Sequence, residues 1–222
     1  MKNLFTIVLI TLISGVLKAQ TFPRPDVCKA CVEDTTGGYI SIEDTLLVNP
    51  VCNYEVLTRA HLSGIQQNRD TISFFPNNLK ALYHLSGEAM GHCIPFQDLA
   101  YSPKTAKASM NLRRNVAPEP QPQNIGTKLA TENHGRALTE LLYGTVKIYC
   151  GTTGSVGSMK GINKPAVYWT VIVTPEDKYA YWMPVTGPKI GYEFLNDQEI
   201  NIPYEQLVAN LGFDPEKVIQ AK

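Results

Sequence analysis

The chain has 222 residues, with 20 lysines and arginines against 20 aspartates and glutamates, and 44% of its residues are hydrophobic. That length holds one sizeable domain with its own core. The even charge balance excludes a protein that coats nucleic acid by bulk positive charge.

Residues 1–19 read as a secretory signal: Lys2 opens it, Leu4 to Leu17 is an apolar run broken only by Thr, Ser and Gly, and Ala19 suits cleavage. The run is short for a membrane span of about 30 Å, so no membrane anchor is expected and the mature chain would be secreted or periplasmic. Loss of residues 1–19, with Lys2 and Lys18, would leave 18 basic against 20 acidic side chains, a net charge of −2. Cys28, Cys31, Cys52, Cys93 and Cys150 remain, an odd count that leaves at least one thiol unpaired within the chain. Cys28 and Cys31 have redox or half-zinc spacing, but no second such pair exists, and a structural disulfide involving Cys52 is the favoured reading.

Residues 20–50 are expected to be an irregular lead-in with one strand near Tyr39–Val48, and residues 51–222 a single domain. Asn53–Arg59 alternates as a strand does, and Pro76-Asn77-Asn78 signals a turn. His61 and His84 have no partner at a chemically suggestive spacing and are read as structural. Asp98, six residues after His92, suits either orienting an imidazole or starting a helix. From Leu99 to Pro118 there is no acid, while Lys104, Lys107, Arg113 and Arg114 make a basic strip. Pro118, Pro120 and Pro122 predict an extended loop over Ala117–Gln123.

Thr127–Tyr143 has helical spacing, with Leu129, Ala130, Ala137, Leu138, Leu141 and Leu142 as its apolar stripe and Gly144 as its end. Thr145–Cys150, Ala166–Thr174 and Tyr179–Pro184 read as strands, the second apolar on both faces as a central strand is. Gly151–Gly161 lacks the order of a phosphate-binding loop and is expected to be a mobile surface loop. Pro203–Leu211, closed by Gly212, predicts a last helix. These elements give an α+β class with a mixed or antiparallel sheet and packed helices.

The polar residues concentrate between Gly91 and Arg136: His92, Asn111, Asn115, Asn124, Glu132 and Arg136. Histidine accepts a proton near neutral pH, an amide oxygen suits a hard cation, and arginine grips phosphate with two donors. On a helix running on from Asn124, Glu132 and Arg136 lie roughly 80° and 120° round from it, on one broad face. Glu132 would sit about 12 Å along the axis and so reach an ion through water. Glu132 and Arg136 are also at pairing distance, four residues apart.

Gly91-His92 with Pro95, Asn111 with Asn115, Asn124 with Gly126, and Glu132 with Arg136 together resemble the DNA/RNA non-specific endonucleases of the ββα-metal, or His-Me finger, class. The resemblance covers about Cys52 to Pro215. It implies His92 as general base, Asn124 as the protein ligand of a magnesium or manganese ion, and Glu132 reaching that ion through water. Asn115 and Asn111 would orient the histidine or the substrate, and Arg136 would contact phosphate. Arg69 is the loose counterpart of a substrate-binding arginine. The implied activity is hydrolysis of DNA or RNA, leaving 5′-phosphate ends.

Two departures stand out. The family's Asp-Arg before Gly-His is Ala89-Met90, and its aromatic residue after Asn-x-Gly is Lys128. Arg113, Arg114 and Lys128 are the candidates to restore the missing charge. The first departure leaves a second reading, a nuclease-fold nucleic-acid-binding protein with weakened catalysis.

Overall fold

A computed structural model describes residues 31–34, 37–64, 66–68, 82–83, 86–186 and 200–220, with backbone alone for 31–34 and 220. The signal segment, Cys28, Arg69, His84 and the Pro76-Asn77-Asn78 turn lie outside the described residues. Among the described residues no helix is long and apolar enough to cross a membrane.

In chain order the elements are β1 (Cys31–Asp34), β2 (Ile40–Asp44), β3 (Asn49–Thr58), α1 (Arg59–Ser63), β4 (Glu88–His92), α2 (Phe96–Leu99), α3 (Pro103–Ser109), β5 (Val116–Pro120), α4 (Gln121–Ile125) and α5 (Thr127–Ala137). A π-helical turn (Leu138–Tyr143) follows α5, and then come β6 (Thr145–Thr153), β7 (Gly157–Met159), β8 (Ile162–Lys164), β9 (Val167–Val173), β10 (Lys178–Pro184), β11 (Asn201–Ile202), α6 (Tyr204–Leu211) and α7 (Pro215–Gln220). The main sheet runs β1-β2-β3-β6-β9-β10-β11, and every pairing in it is antiparallel. The α+β expectation holds, in its antiparallel form.

Both faces of this sheet are covered because its inner strands carry bulky residues on both sides. On one face Leu57, Ile148, Tyr168, Ile172 and Met183 pack with Ala117 of β5 and Leu138 of the π turn. On the other, Tyr149, Trp169 and Val171 pack against Leu207 and Leu211 of α6. Strand β9 is interior, as its doubly apolar pattern predicts. Gly212 ends α6 in the left-handed region at φ 75°, a conformation that costs glycine little.

Several expectations are corrected. The strand expected near Tyr39–Val48 is β2, and β1 adds a second that was not expected; both belong to the main sheet, so the described part of residues 20–50 is not an irregular lead-in. Residues 117–123 are not one extended loop. Val116–Pro120 pairs with β4, and Gln121–Ile125 turns into a helix because Pro122 sits in its first turn, where no intrahelical N–H is needed. Gly151–Gly161 is structured as the end of β6 and the first strand and turn of the β7–β8 hairpin.

The long helix changes pitch at Leu138. The Thr139 hydroxyl donates to the Gly135 carbonyl at 2.8 Å, and the Gly144 N–H reaches back five residues to the Thr139 carbonyl at 2.9 Å. The wider turn carries Leu141 and Leu142 outward, 76% and 66% exposed, so only part of the predicted apolar stripe is buried. The inner face of α5 instead buries Lys128, Thr131, Gly135 and Arg136.

Cys52, Cys93 and Cys150 are buried free thiols, so the disulfide expected at Cys52 is not formed. Cys52 lies in the sheet core among Tyr149 and Trp169, and burial pushes its thiol up from the ordinary range. Iodoacetamide followed by peptide mass spectrometry should leave these three cysteines unlabelled in the native chain and label all three after denaturation.

Candidate active site

The hairpin β4–β5 and helix α5 form a ββα unit beside the main sheet. In the hairpin, His92 pairs with Val116 and Met90 with Pro118. Gly91 is required by close approach: a Cβ there would stand 2.4 Å from Glu119 Oε2 and 2.7 Å from the Tyr168 hydroxyl. His92 therefore sits at the end of a strand pressed against the sheet, and is itself 6% exposed.

Its Nε2 lies 3.2 Å from the sulfur of Met110, which ends α3. A thioether has no proton to give, so as a hydrogen bond this contact places the hydrogen on Nε2 and leaves the lone pair of neutral imidazole on Nδ1. Met110 carries no signal in the sequence that would mark it as a partner of His92.

His92, Asn124, Glu132 and Arg136 line one cavity of about 240 Å³, together with Met90, Pro95, Phe96, Gln97, Ile125 and Leu129. The four polar residues come from β4, α4 and α5. Gly126 closes α4 and opens α5, and this tight corner lets Asn124 share a space with residues further along α5. The Glu132–Arg136 pair expected from spacing forms at 3.5 Å.

Asn115, Asn111, Arg113 and Arg114 line no part of this cavity. Asn115 is fully buried: its amide nitrogen donates to the Ile94 and Ser109 carbonyls, and its oxygen accepts from the Ile94 N–H and the Asn53 amide. It fixes the chain just after His92 rather than touching the imidazole. Asn111 accepts from the backbone N–H groups of Arg113 and Arg114, shaping the turn before β5. Arg113 is exposed, and Arg114 lies 3.9 Å from Glu43.

Lys128 does not restore charge to the cavity either. It is buried, 3.3 Å from Glu119 and 4.8 Å from the centre of the Tyr168 ring. Met90 keeps its place in the cavity wall, where Arg136 is the one lysine or arginine among the described residues. His134 faces elsewhere, as its angular position implies, with Nδ1 2.6 Å from the Tyr181 hydroxyl. His61 stacks on Tyr101 with ring centres 4.0 Å apart.

Asp98 has a role that its distance from His92 does not suggest. It lies in α2, fully buried, and its Oδ1 accepts from Arg136 Nε at 2.6 Å. Burial raises its carboxyl to about 6, against the pull of Arg136, while Glu55 beside it is raised well above the carboxylate range by burial and by Asp98. An acid raised in this way holds its proton in the folded chain over pH values where the unfolded chain has lost it. Stability from this group is thus present below about pH 4 and is lost as pH rises towards about 6. In urea titrations, wild type should lose ground against Asp98→Asn over that window, and a flat difference would remove the assignment.

An ion would meet a sparse donor set here, the Asn124 amide and the Glu132 carboxylate. Among the described residues no three histidine, cysteine, aspartate or glutamate side chains gather as they would around a fully protein-ligated ion. These donors fit a hard cation that keeps most of its own water.

Known proteins agree with this architecture. A family profile described as DNA/RNA non-specific endonuclease matches residues 33–213. The structure is similar to a chain in a crystal structure of the EndoG/EndoGI complex, described as revealing the mechanism of EndoG inhibition. The TM-score is 0.63 at 20% identity, over 81% of this chain and 83% of that one. No curated protein matches the chain. With the ββα unit in place and the profile spanning the main sheet and the cavity, the chain belongs to the DNA/RNA non-specific endonuclease family.

Proposed function

We propose that this nuclease is exported and hydrolyses phosphodiester bonds of DNA, RNA or both, with His92 as general base and a divalent cation at Asn124. The observation that carries this reading is the meeting of His92, Asn124, Glu132 and Arg136 around one cavity. Lys2, the apolar run to Leu17 and Ala19 support export with cleavage after Ala19.

Neutral His92 takes a proton at Nδ1 from a water molecule, and the water oxygen attacks phosphorus. The bond from phosphorus to the 3′ oxygen breaks, solvent protonates that oxygen, and the phosphate stays on the 5′ side. Arg136 gives Nε to Asp98 and one terminal N–H to Asn133, and its other terminal nitrogen lies 3.5 Å from Glu132, which leaves N–H donors on both terminal nitrogens for a non-bridging phosphate oxygen. The Asn124 oxygen, with Glu132 through water, would hold magnesium or manganese, which would supply positive charge at the phosphate. Contacts to the sugar–phosphate backbone alone make cleavage insensitive to base sequence.

Incubating supercoiled plasmid and RNA with the purified protein in magnesium, manganese or chelator tests this. Cleavage only with the ions, leaving 5′-phosphate ends, is the expected result. Undiminished cleavage in chelator would remove the ion. Met90 in the cavity wall favours a second reading, a nucleic-acid-binding protein with weakened catalysis. Binding without cleavage under every ion would support that one.

A further inference from the structure

Beneath the cavity lies a buried acid pair that the reaction scheme does not use. Glu55 of β3 and Asp98 of α2 are 2% and 0% exposed. They are 43 residues apart in sequence, yet their buried carboxyls lie close enough to act on each other. Glu55 Oε1 and Asp98 Oδ2 are buried with no hydrogen-bond partner, whereas Asp98 Oδ1 is taken by Arg136 Nε at 2.6 Å.

Two ionised carboxylates cannot face each other in a buried space, so one proton lies between them. Arg136 beside Asp98 favours the charge there, while burial and the neighbouring Asp98 favour the proton on Glu55. Arg136 is thus held from three sides, by Asp98 behind, Asn133 at 3.0 Å and Glu132 at 3.5 Å. A free arginine side chain samples many rotamers, and fixing one before substrate arrives removes that entropy cost from binding. With Met90 in the wall, no second arginine or lysine among the described residues lines the cavity to cover for a misplaced Arg136.

We propose that Asp98 and Glu55 are positioning residues, an acid pair whose shared proton leaves a single charge to hold the Arg136 guanidinium ready for a substrate phosphate. The proposal rests on the nuclease reading, which gives Arg136 a phosphate to bind. It assigns no chemistry to either acid.

Calorimetric titration with deoxythymidine 3′,5′-bisphosphate, in magnesium buffer, tests it on the full mature chain. This probe has two phosphates and no diester to cleave. Asp98→Asn keeps the shape but removes the charge, and should weaken probe binding about tenfold, the worth of one charge-assisted hydrogen bond. In an Arg136→Met background the same change should cost nothing further, because its effect runs through the guanidinium. Glu55→Gln, whose amide N–H replaces the acid proton, should lose less affinity than Glu55→Ala.

Equal probe affinity in wild type and Asp98→Asn would overturn the proposal while leaving the nuclease reading intact, provided wild type still cleaves DNA. Equal losses with and without Arg136 would assign the pair to the fold, and so would unfolding of both Asp98→Asn and Glu55→Ala. A wild-type chain that neither binds the probe nor cleaves nucleic acid would sink the nuclease reading itself.

Discussion

Replacing His92 with alanine is expected to lower the cleavage rate by about a hundred- to ten-thousandfold, the usual contribution of a positioned general base. The fold should survive, because the side chain ends a two-stranded hairpin whose backbone pairing is unchanged by the substitution. Substrate affinity should change little, since phosphate binding falls to Arg136 and the ion rather than to the imidazole. The Met110 contact sharpens the expectation. Met110→Leu keeps the packing volume but removes the sulfur contact to Nε2, and should reduce turnover without raising KM. Initial rates on plasmid at saturating magnesium check both variants. His92→Ala cleaving at the wild-type rate would take the histidine out of the reaction, whatever its place in the cavity.

How much of this was legible in the sequence depends on the range of each contact. Angular counting assumes one helix running on from Asn124, whereas the chain turns at Gly126 between α4 and α5, and it is that short corner that lets all three line one cavity. Gly91 beside His92 was legible as a motif, though not its reason, which is the crowding of Glu119 and Tyr168 above it. Asp98 was legible as a helix-start residue, and it does lie in the first turn of α2, but its partner Arg136, 38 residues away, was not. A lone acid inside Phe-Gln-Asp-Leu, flanked by the bulky apolar Phe96 and Leu99, was the available clue. Met110 and Glu55 gave no comparable sign: a methionine reads as core, and a glutamate in an alternating strand reads as its solvent face. The apolar stripe of α5 failed for a related reason. Periodicity assumes that charge faces water, whereas this helix turns Lys128 and Arg136 inward to buried carboxylates.

Lys128→Ala should be among the most destabilising single changes in the chain, at about 3–5 kcal/mol, the cost of stranding one buried charge of a pair. Its partner Glu119 is fully buried on β5, facing the crowded Gly91. A total stability of about 5–15 kcal/mol puts such a loss near the melting threshold of a small domain. Part of it comes from the aromatic contact, since the ammonium lies 4.8 Å from the centre of the Tyr168 ring. Desolvation alone would lower the lysine, but Glu119 and then Glu132 outweigh it and hold the ammonium above its ordinary value. A basic group raised in the folded chain contributes fully below its unfolded value and is lost only as pH rises through the folded one, so the pair is intact at neutral pH. Urea unfolding at pH 7 should therefore show the full deficit in Lys128→Ala. A Lys128→Met and Glu119→Leu double variant should recover most of it, because two apolar side chains of similar size leave no charge stranded. The pair also joins β5 to the first turn of α5, the joint that keeps His92 and Asn124 on one cavity, so cleavage by the single variant should fail at a lower temperature than wild type. A deficit below about 1 kcal/mol would mean that Glu119 takes up a proton once its partner is gone, and that the ion pair is worth no more than one on the surface.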